Sequence, residues 1–95
     1  MHRYYVYFMS NRNGNVLYIG VTNDLMRRVR EHRSSEIPGF SQKYRCHFLL
    51  YYEEFNDINL AIAREKQLKG WIREKKEHLI ASTNPNRMDL AADWE

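Results

Sequence analysis

Residues 17–32 combine a tyrosine, arginines and a histidine in a strand, turn and helix pattern. Residues 17–21 are apolar and β-prone, and residues 22–24 (Thr-Asn-Asp) supply side-chain oxygens that cap a helix. The expected helix, about 23–33, carries four cationic or titratable side chains close to its start: Arg27, Arg28, Arg30 and His32. Because the helix dipole disfavours positive charge there, these residues indicate a role other than helix stability.

Arg28 and His32 are four residues apart, so they stack on one face of the predicted helix, beside its apolar stripe of Leu25 and Val29. The side chains on that face could act together. A basic surface of this kind suits a phosphate backbone, although it is also compatible with an ordinary solvated face.

A predicted β-hairpin brings two tyrosines to the same segment. Two β-prone runs, 4–9 and 17–21, flank Asn13–Gly14, a strong signal for a two-residue hairpin turn. This turn pairs Tyr7 with Gly20 and places Tyr18 diagonally across from Tyr7 on one face, where Gly20 leaves open space. The opposite face is expected to form the core, through Val6, Phe8, Leu17, Ile19 and Val21.

Glu65 is the acidic candidate. A second helix is expected from Asn56 or Asp57 to about Lys69, with apolar residues three and four positions apart, and Glu65 falls inside that apolar stripe. A carboxylate on a buried face is costly unless it is paired or bound to a metal ion. Two alternatives remain open, a metal ligand or a structural salt bridge to an arginine such as Arg28.

Aromatic and cationic residues alternate in and after an expected loop at residues 34–44, which contains Pro38–Gly39. The residues concerned are Phe40, Lys43, Tyr44 and Arg45. Such a mixture can stack bases and neutralise phosphates. It can equally be a loop anchored by its rings, with its cations in water.

The remaining chain predicts a single small domain. The third strand, 46–55, is hydrophobic enough to be expected at the centre of the sheet, and a third helix is expected to begin near Trp71 and end before Pro85. We therefore expect a domain at residues 1–85 and a short tail at 86–95, within a chain of 95 residues.

Composition favours a soluble, cytoplasmic protein that meets an anionic partner. The chain has 15 Lys and Arg against 12 Asp and Glu, for a net charge of +3, and the cations concentrate between residues 27 and 45. The single cysteine, Cys46, cannot form an intramolecular disulfide, as expected in a reducing compartment. No signal peptide or membrane-spanning run is evident.

Several of these segments occur in an order that resembles the GIY-YIG nuclease superfamily, and its small stand-alone members look most similar. The matching segments are Tyr5–Val6–Tyr7, Tyr18–Ile19–Gly20, Arg28 with His32, the run AREKQLKGW and Asn84–Pro85. The resemblance implies an α/β (α+β) fold, a three-stranded antiparallel sheet flanked by three helices. It also implies hydrolysis of DNA phosphodiester bonds with Mg²⁺ or Mn²⁺.

The resemblance assigns site residues one by one. It implies catalytic roles for Tyr7, Tyr18, Arg28, His32 and Glu65, with Glu65 as the metal ligand. Substrate contacts are expected from Arg27, Phe40, Lys43, Tyr44, Arg45 and Asn84. The clearest departure is Tyr5, which stands where the motif has glycine, and we expect it to alter the pocket wall.

We expect DNA to be the partner, and branched and single-stranded DNA are the candidate forms. The expected process is DNA repair or recombination. A protein partner would then supply specificity, and no membrane is involved. Two alternatives remain. One is a nucleic-acid-binding module of the same fold without cleavage, and the other is a protein-interaction module that uses Tyr51, Tyr52 and Phe55.

Overall fold

The computed structural model describes residues 2–34, 36 and 39–94, and for Phe40 and Ser41 it describes the backbone alone. Three strands and four helices follow one another along this part of the chain. They are β1 (Tyr4–Ser10), β2 (Leu17–Thr22), α1 (Leu25–Arg33), α2 (Phe40–Tyr44), β3 (Phe48–Phe55), α3 (Ile58–Lys69) and α4 (Arg73–Thr83). None of the described helices has the length and apolar character needed to cross a bilayer.

The strands form an antiparallel sheet in the order β2-β1-β3, which confirms the predicted sheet. The hairpin register is also as predicted, with Tyr7 opposite Gly20 and Met9 opposite Tyr18. The expected central position of β3 is wrong, because β1 lies in the middle. The physical reason is that β1 is apolar on both faces, and its residues Val6, Tyr7, Phe8 and Met9 are all fully buried.

The turn between β1 and β2 differs from the predicted two-residue loop. The ladder ends at Ser10 opposite Leu17, which leaves a six-residue connection. Within it the Gly14 amide donates to the Asn11 carbonyl at 3.0 Å, and the Asn11 side chain accepts from the Val16 amide at 3.1 Å. These bonds replace the last ladder pairs without changing the register. Gly14 has a φ of 77°, which favours glycine.

Both faces of the sheet are buried, each against a different helix. The α3-side core contains Val6, Phe8, Ile19, Leu50, Tyr51, Ala61, Leu68 and Ile80. The α1-side core contains Tyr7, Met9, Leu25, Val29, Cys46, Leu49 and Ala91. The first is the predicted core face, and the second was not predicted. Since successive residues of β1 point to opposite faces, α1 and α3 lie on opposite sides of the sheet.

Several of the predicted helices and strands need correction. Helix α1 begins at Leu25, because the Asp24 side chain accepts from the Arg27 amide as its N-cap. Strand β3 begins at Phe48 rather than at residue 46. The predicted loop contains the short helix α2, so the described chain has one helix more than expected; Pro38 lies outside the described residues.

The segment after α4 packs onto the α1-side core. Ala91 is fully buried, and Trp94 packs against the same core. Asp89 joins three parts of the chain, because its carboxylate accepts from Arg33 at 2.8 Å and from the amide of Leu49 at 3.1 Å. This segment therefore contributes to the wall of the α1 side.

Replacing Asp89 with alanine is expected to lower the free energy of unfolding by about 2 kcal/mol, because Arg33 and the Leu49 amide lose their acceptor. Urea unfolding followed by circular dichroism measures the change. The exposed Asp93→Ala variant is the matched control, with an expected change of less than about 0.5 kcal/mol. Equal effects of the two substitutions would contradict this role of Asp89.

Candidate active site

A buried hydrogen bond joins β1 to α1. The phenol oxygen of Tyr7 lies 3.0 Å from Nε2 of His32, and the two residues are 0% and 1% exposed. His32 was expected beside the apolar stripe of α1, but it is buried together with Leu25 and Val29. The Tyr7 phenol explains this burial, because it supplies a partner for a ring nitrogen that water no longer reaches.

Burial keeps both members of this pair neutral. Desolvation, with smaller contributions from the charges of Arg28 and His47, lowers the pKa of His32 to about 4. Desolvation also raises the pKa of Tyr7 above its ordinary value; the nearby Tyr18 adds to the rise and Arg28 opposes it. The hydrogen bond therefore joins a neutral phenol to a neutral imidazole at pH near 7.

Tyr18 completes a three-ring cluster on the α1 side of the sheet. Its ring centroid lies 6.1 Å from that of Tyr7 and 4.9 Å from that of His32. Unlike these two residues, Tyr18 is only partly buried. It is therefore the ring of the cluster that borders solvent.

Gly20 makes this packing possible. A Cβ atom at this position would lie 2.5 Å from the phenol oxygen of Tyr7 and 3.0 Å from Cε1 of Tyr18. The Tyr7 ring is fully buried and has little room to move. The close approach therefore requires glycine at position 20.

Arg28 places a positive charge near the Tyr7 phenol. This charge lowers the pKa of Tyr7 against the effect of burial, and the Arg28 side chain is 28% exposed. Its Nε lies 3.0 Å from Oε1 of Glu31, yet no aligned hydrogen bond satisfies the Nε–H group. The ion pair with Glu31 was not predicted. The i,i+3 spacing of the two residues could have indicated it, because side chains three positions apart are neighbours on a helix.

The structure brings Tyr7, Tyr18, Arg28 and His32 together and places Glu65 on α3, across the sheet. The Glu65 side chain is 16% exposed, and its Oε2 lies 3.3 Å from Nζ of Lys69. Helix α3 packs against β2, the edge strand that carries Tyr18. Within the part of the chain that the structure describes, no three His, Cys, Asp or Glu residues form a group that could hold a metal ion.

Asn84 is buried at the end of α4, where its side chain bonds to main-chain groups. Its Nδ2 donates to the carbonyls of Leu50 at 3.0 Å and of Met88 at 2.8 Å, and its Oδ1 accepts from the Met88 amide. These bonds connect the end of α4 with β3 and with the segment that follows. Because these bonds satisfy the side-chain amide of Asn84, its burial does not require a bound substrate.

The remaining predicted substrate contacts lie at the surface. Arg27 is on the exposed face of α1, with Glu31 and Asn23 as neighbours. Lys43 lies over the ring of Tyr44 at 5.4 Å, and Arg45 follows with a φ of 53°. Phe40 is also predicted to contact substrate, but its side chain is outside the part of the chain that the structure describes.

His32 should remain unprotonated in the folded protein well below pH 6, because its pKa is lowered to about 4. The unfolded chain binds this proton near pH 6.5, so His32 makes the folded state lose stability as the pH falls from about 6.5 towards 4, by up to about 3 kcal/mol. The chemical shifts of the His32 ring measured against pH by NMR test this expectation. A titration midpoint near 6.5 in the folded protein would contradict it.

The chain is similar to known proteins over most of its length. The model of the GIY-YIG catalytic domain matches residues 3–78. A UPF0213 protein of Haloquadratum walsbyi is 33% identical over 79 residues, which cover 83% of this chain and 89% of the relative. A UPF0213 protein of Bacillus pumilus is 34% identical over 79 residues, with 83% and 80% covered.

A solved structure shows the same fold. The solution NMR structure of a UPF0213 protein from Bacillus halodurans superposes with a TM-score of 0.57 at 24% identity, and the match covers 98% of this chain and 99% of that one. Together, the family model and the relatives show that this chain belongs to the GIY-YIG family.

Proposed function

We propose that this protein is an endonuclease that hydrolyses DNA phosphodiester bonds with a divalent cation. The observation that supports this best is the cluster of Tyr7, Tyr18, His32 and Arg28, in which a partly exposed guanidinium lies near the Tyr7 phenol. Phosphodiester hydrolysis needs stabilisation of negative charge on the phosphoryl oxygens and a group that orients the attacking water. This cluster offers both kinds of group at one surface.

Arg28 would bind the phosphate that is cut. A guanidinium can make a forked contact with two phosphoryl oxygens, and the existing ion pair with Glu31 is not well aligned. A phosphate group could therefore replace Glu31 as its partner. In this position the arginine would stabilise the charge that develops as the bond to the leaving oxygen breaks.

The two tyrosines would divide their tasks. Tyr7 is buried, its pKa is raised and it is bonded to His32, so it would position the cluster. Tyr18 borders solvent and would orient or deprotonate the attacking water.

Glu65 would hold the Mg²⁺ or Mn²⁺ ion. GIY-YIG nucleases generally use divalent metals, and Mg²⁺ is held by as few as one or two carboxylates together with waters and phosphate oxygens. Glu65 is a single, largely buried carboxylate paired with the surface residue Lys69, which fits that requirement. When bound, the ion would supply Lewis-acid stabilisation of the phosphate oxygens.

The surface residues would guide DNA to the cluster. Arg27, Lys43, Tyr44 and Arg45 are exposed and could contact the phosphate backbone or stack on bases. A domain of this size would gain its specificity for a branched or single-stranded site in repair or recombination from a protein partner. Cys46 is a buried, free thiol, as expected for a protein that acts in a reducing cytoplasm.

Arg28→Ala, Tyr18→Phe and Glu65→Gln are each expected to lower the rate of DNA cutting at least about 100-fold, because each removes one group that acts on the reacting phosphate. The measurement is single-turnover cleavage of labelled flapped, nicked, duplex and single-stranded DNA with Mg²⁺. Chelator is expected to stop cutting by the unchanged protein.

The matched controls are the exposed Lys69→Met, next to Glu65, and Glu74→Gln on α4, which are expected to keep the rate within about threefold. Circular dichroism confirms that each variant is folded. Cutting that survives Arg28→Ala and Glu65→Gln, or that persists in chelator, would contradict the proposal. Salt-sensitive DNA binding without any cut product would instead identify a binding module of the same fold.

A further inference from the structure

An aromatic cleft lies next to the cluster on the same face of the sheet. It has a volume of about 350 Å³, and its walls include Tyr5, Tyr52, Trp94, Met26, Glu54 and Asp24. Tyr5 precedes Tyr7 by two residues on β1, so the two Cα atoms are about 7 Å apart on one face. Tyr52 is the residue of β3 directly opposite Tyr7. A nucleotide next to one bound at the cluster would therefore reach this cleft.

We propose that the cleft binds an unpaired nucleobase of the DNA strand, one nucleotide away from the phosphate at Arg28; the inference rests on the proposed nuclease function. Tyr52 is 42% exposed and Met26 is 50% exposed, so the walls are open to a ligand. The rings of Tyr5 and Tyr52 meet edge to face, with centroids 6.3 Å apart at 67°, so a ring face of Tyr52 is not covered by Tyr5. Aromatic faces of this kind stack nucleobases.

The charges of the cleft fit a base better than a phosphate. Its walls contain the carboxylates of Glu54 and Asp24, and among the residues that the structure describes no lysine or arginine lines them. Glu54 is 47% exposed at its side chain and lies 3.6 Å from Arg3, which leaves carboxylate oxygen available. A carboxylate accepts a hydrogen bond from the exocyclic amine of cytosine, adenine or guanine, whereas thymine has no exocyclic amine. The cleft should therefore prefer a base that carries an amine, such as cytosine or adenine, over thymine.

Trp94 also lines a second cleft, which contains more cations than anions. Its charged residues are Arg27, Arg30 and Arg33, together with Glu31 and Glu36. An aromatic platform that borders a basic groove is the arrangement with which proteins hold single-stranded DNA. The phosphates would follow α1 while one base enters the aromatic cleft.

Tyr5 gives the cleft one of its rings at the position where the family motif has glycine. A glycine at this position would leave Tyr52 and Trp94 without the facing ring. The departure from the motif therefore creates a wall for a base and leaves the groups at the cluster unchanged.

The test is binding of fluorescein-labelled twelve-nucleotide strands, measured by anisotropy in chelator so that no cutting occurs. We expect Tyr52→Val to weaken binding of cytosine and adenine strands about tenfold. Tyr52→Phe, which keeps the ring, should stay within about twofold of the unchanged protein. Wild-type protein should bind thymine strands a few-fold more weakly, and Glu54→Gln should remove that preference.

A fully abasic strand of the same length provides the control for phosphate contacts, and Tyr52→Val should not change its binding. Trp94→Leu is a second variant, expected to behave like Tyr52→Val, and circular dichroism confirms folding of both. Equal binding of cytosine strands by wild type and Tyr52→Val, or an equal loss with the abasic strand, would overturn the inference.

The two proposals can fail separately. If the protein cuts DNA in Mg²⁺ but Tyr52→Val does not weaken strand binding, only the proposal of a base-binding cleft is overturned. Ring-dependent binding without cutting would overturn the nuclease proposal and leave the cleft as a base-binding site.

Discussion

The hydrogen bond between Tyr7 and His32 is the interaction on which the arrangement of this protein depends. Both groups are buried, and a buried polar group that loses its partner costs about 1–3 kcal/mol. The bond therefore fixes the last turn of α1 over the central strand. Arg28, one turn earlier on α1, is held near the Tyr7 phenol as a consequence, and Gly20 leaves the space in which the rings meet.

The two faces of the sheet serve different purposes. The α3-side core is almost entirely apolar and stabilises the domain by burial. The α1-side core contains the polar cluster, and the segment that includes Asp89 and Ala91 closes it. Glu65 lies on the helix of the first face, packed against β2. The proposed nuclease site would thus require elements from both sides of the sheet, with Tyr18 on the edge strand between them.

Local patterns predict the parts of this structure that depend on residues close in sequence. The pairing of Tyr7 with Gly20 follows from the alternation of two strands around one turn, and the N-cap at Asp24 follows from side-chain chemistry. The central position of β1 could not be read in this way, because hydrophobic runs in β1 and β3 look alike. The bond from Arg33 to Asp89 spans 56 residues, and no periodicity in the sequence indicates it.

The same distinction applies to the site. The diagonal contact of Tyr7 with Tyr18 follows from the hairpin, whereas the burial of His32 depends on a partner 25 residues away. The aromatic cleft depends on Tyr52 and Trp94, which come from distant parts of the chain, so sequence spacing gave no signal for it. The placement of Asn84 at main-chain groups likewise requires the docked end of the chain.

The most direct test of the central claim is the origin of the oxygen at the cut. DNA is incubated with the protein and Mg²⁺ in water enriched in a heavy oxygen isotope, and the products are analysed by mass spectrometry. Hydrolysis at this cluster predicts one heavy oxygen atom on each new terminal phosphate and no DNA attached to the protein. Intact DNA, or a product linked covalently to a tyrosine, would contradict it.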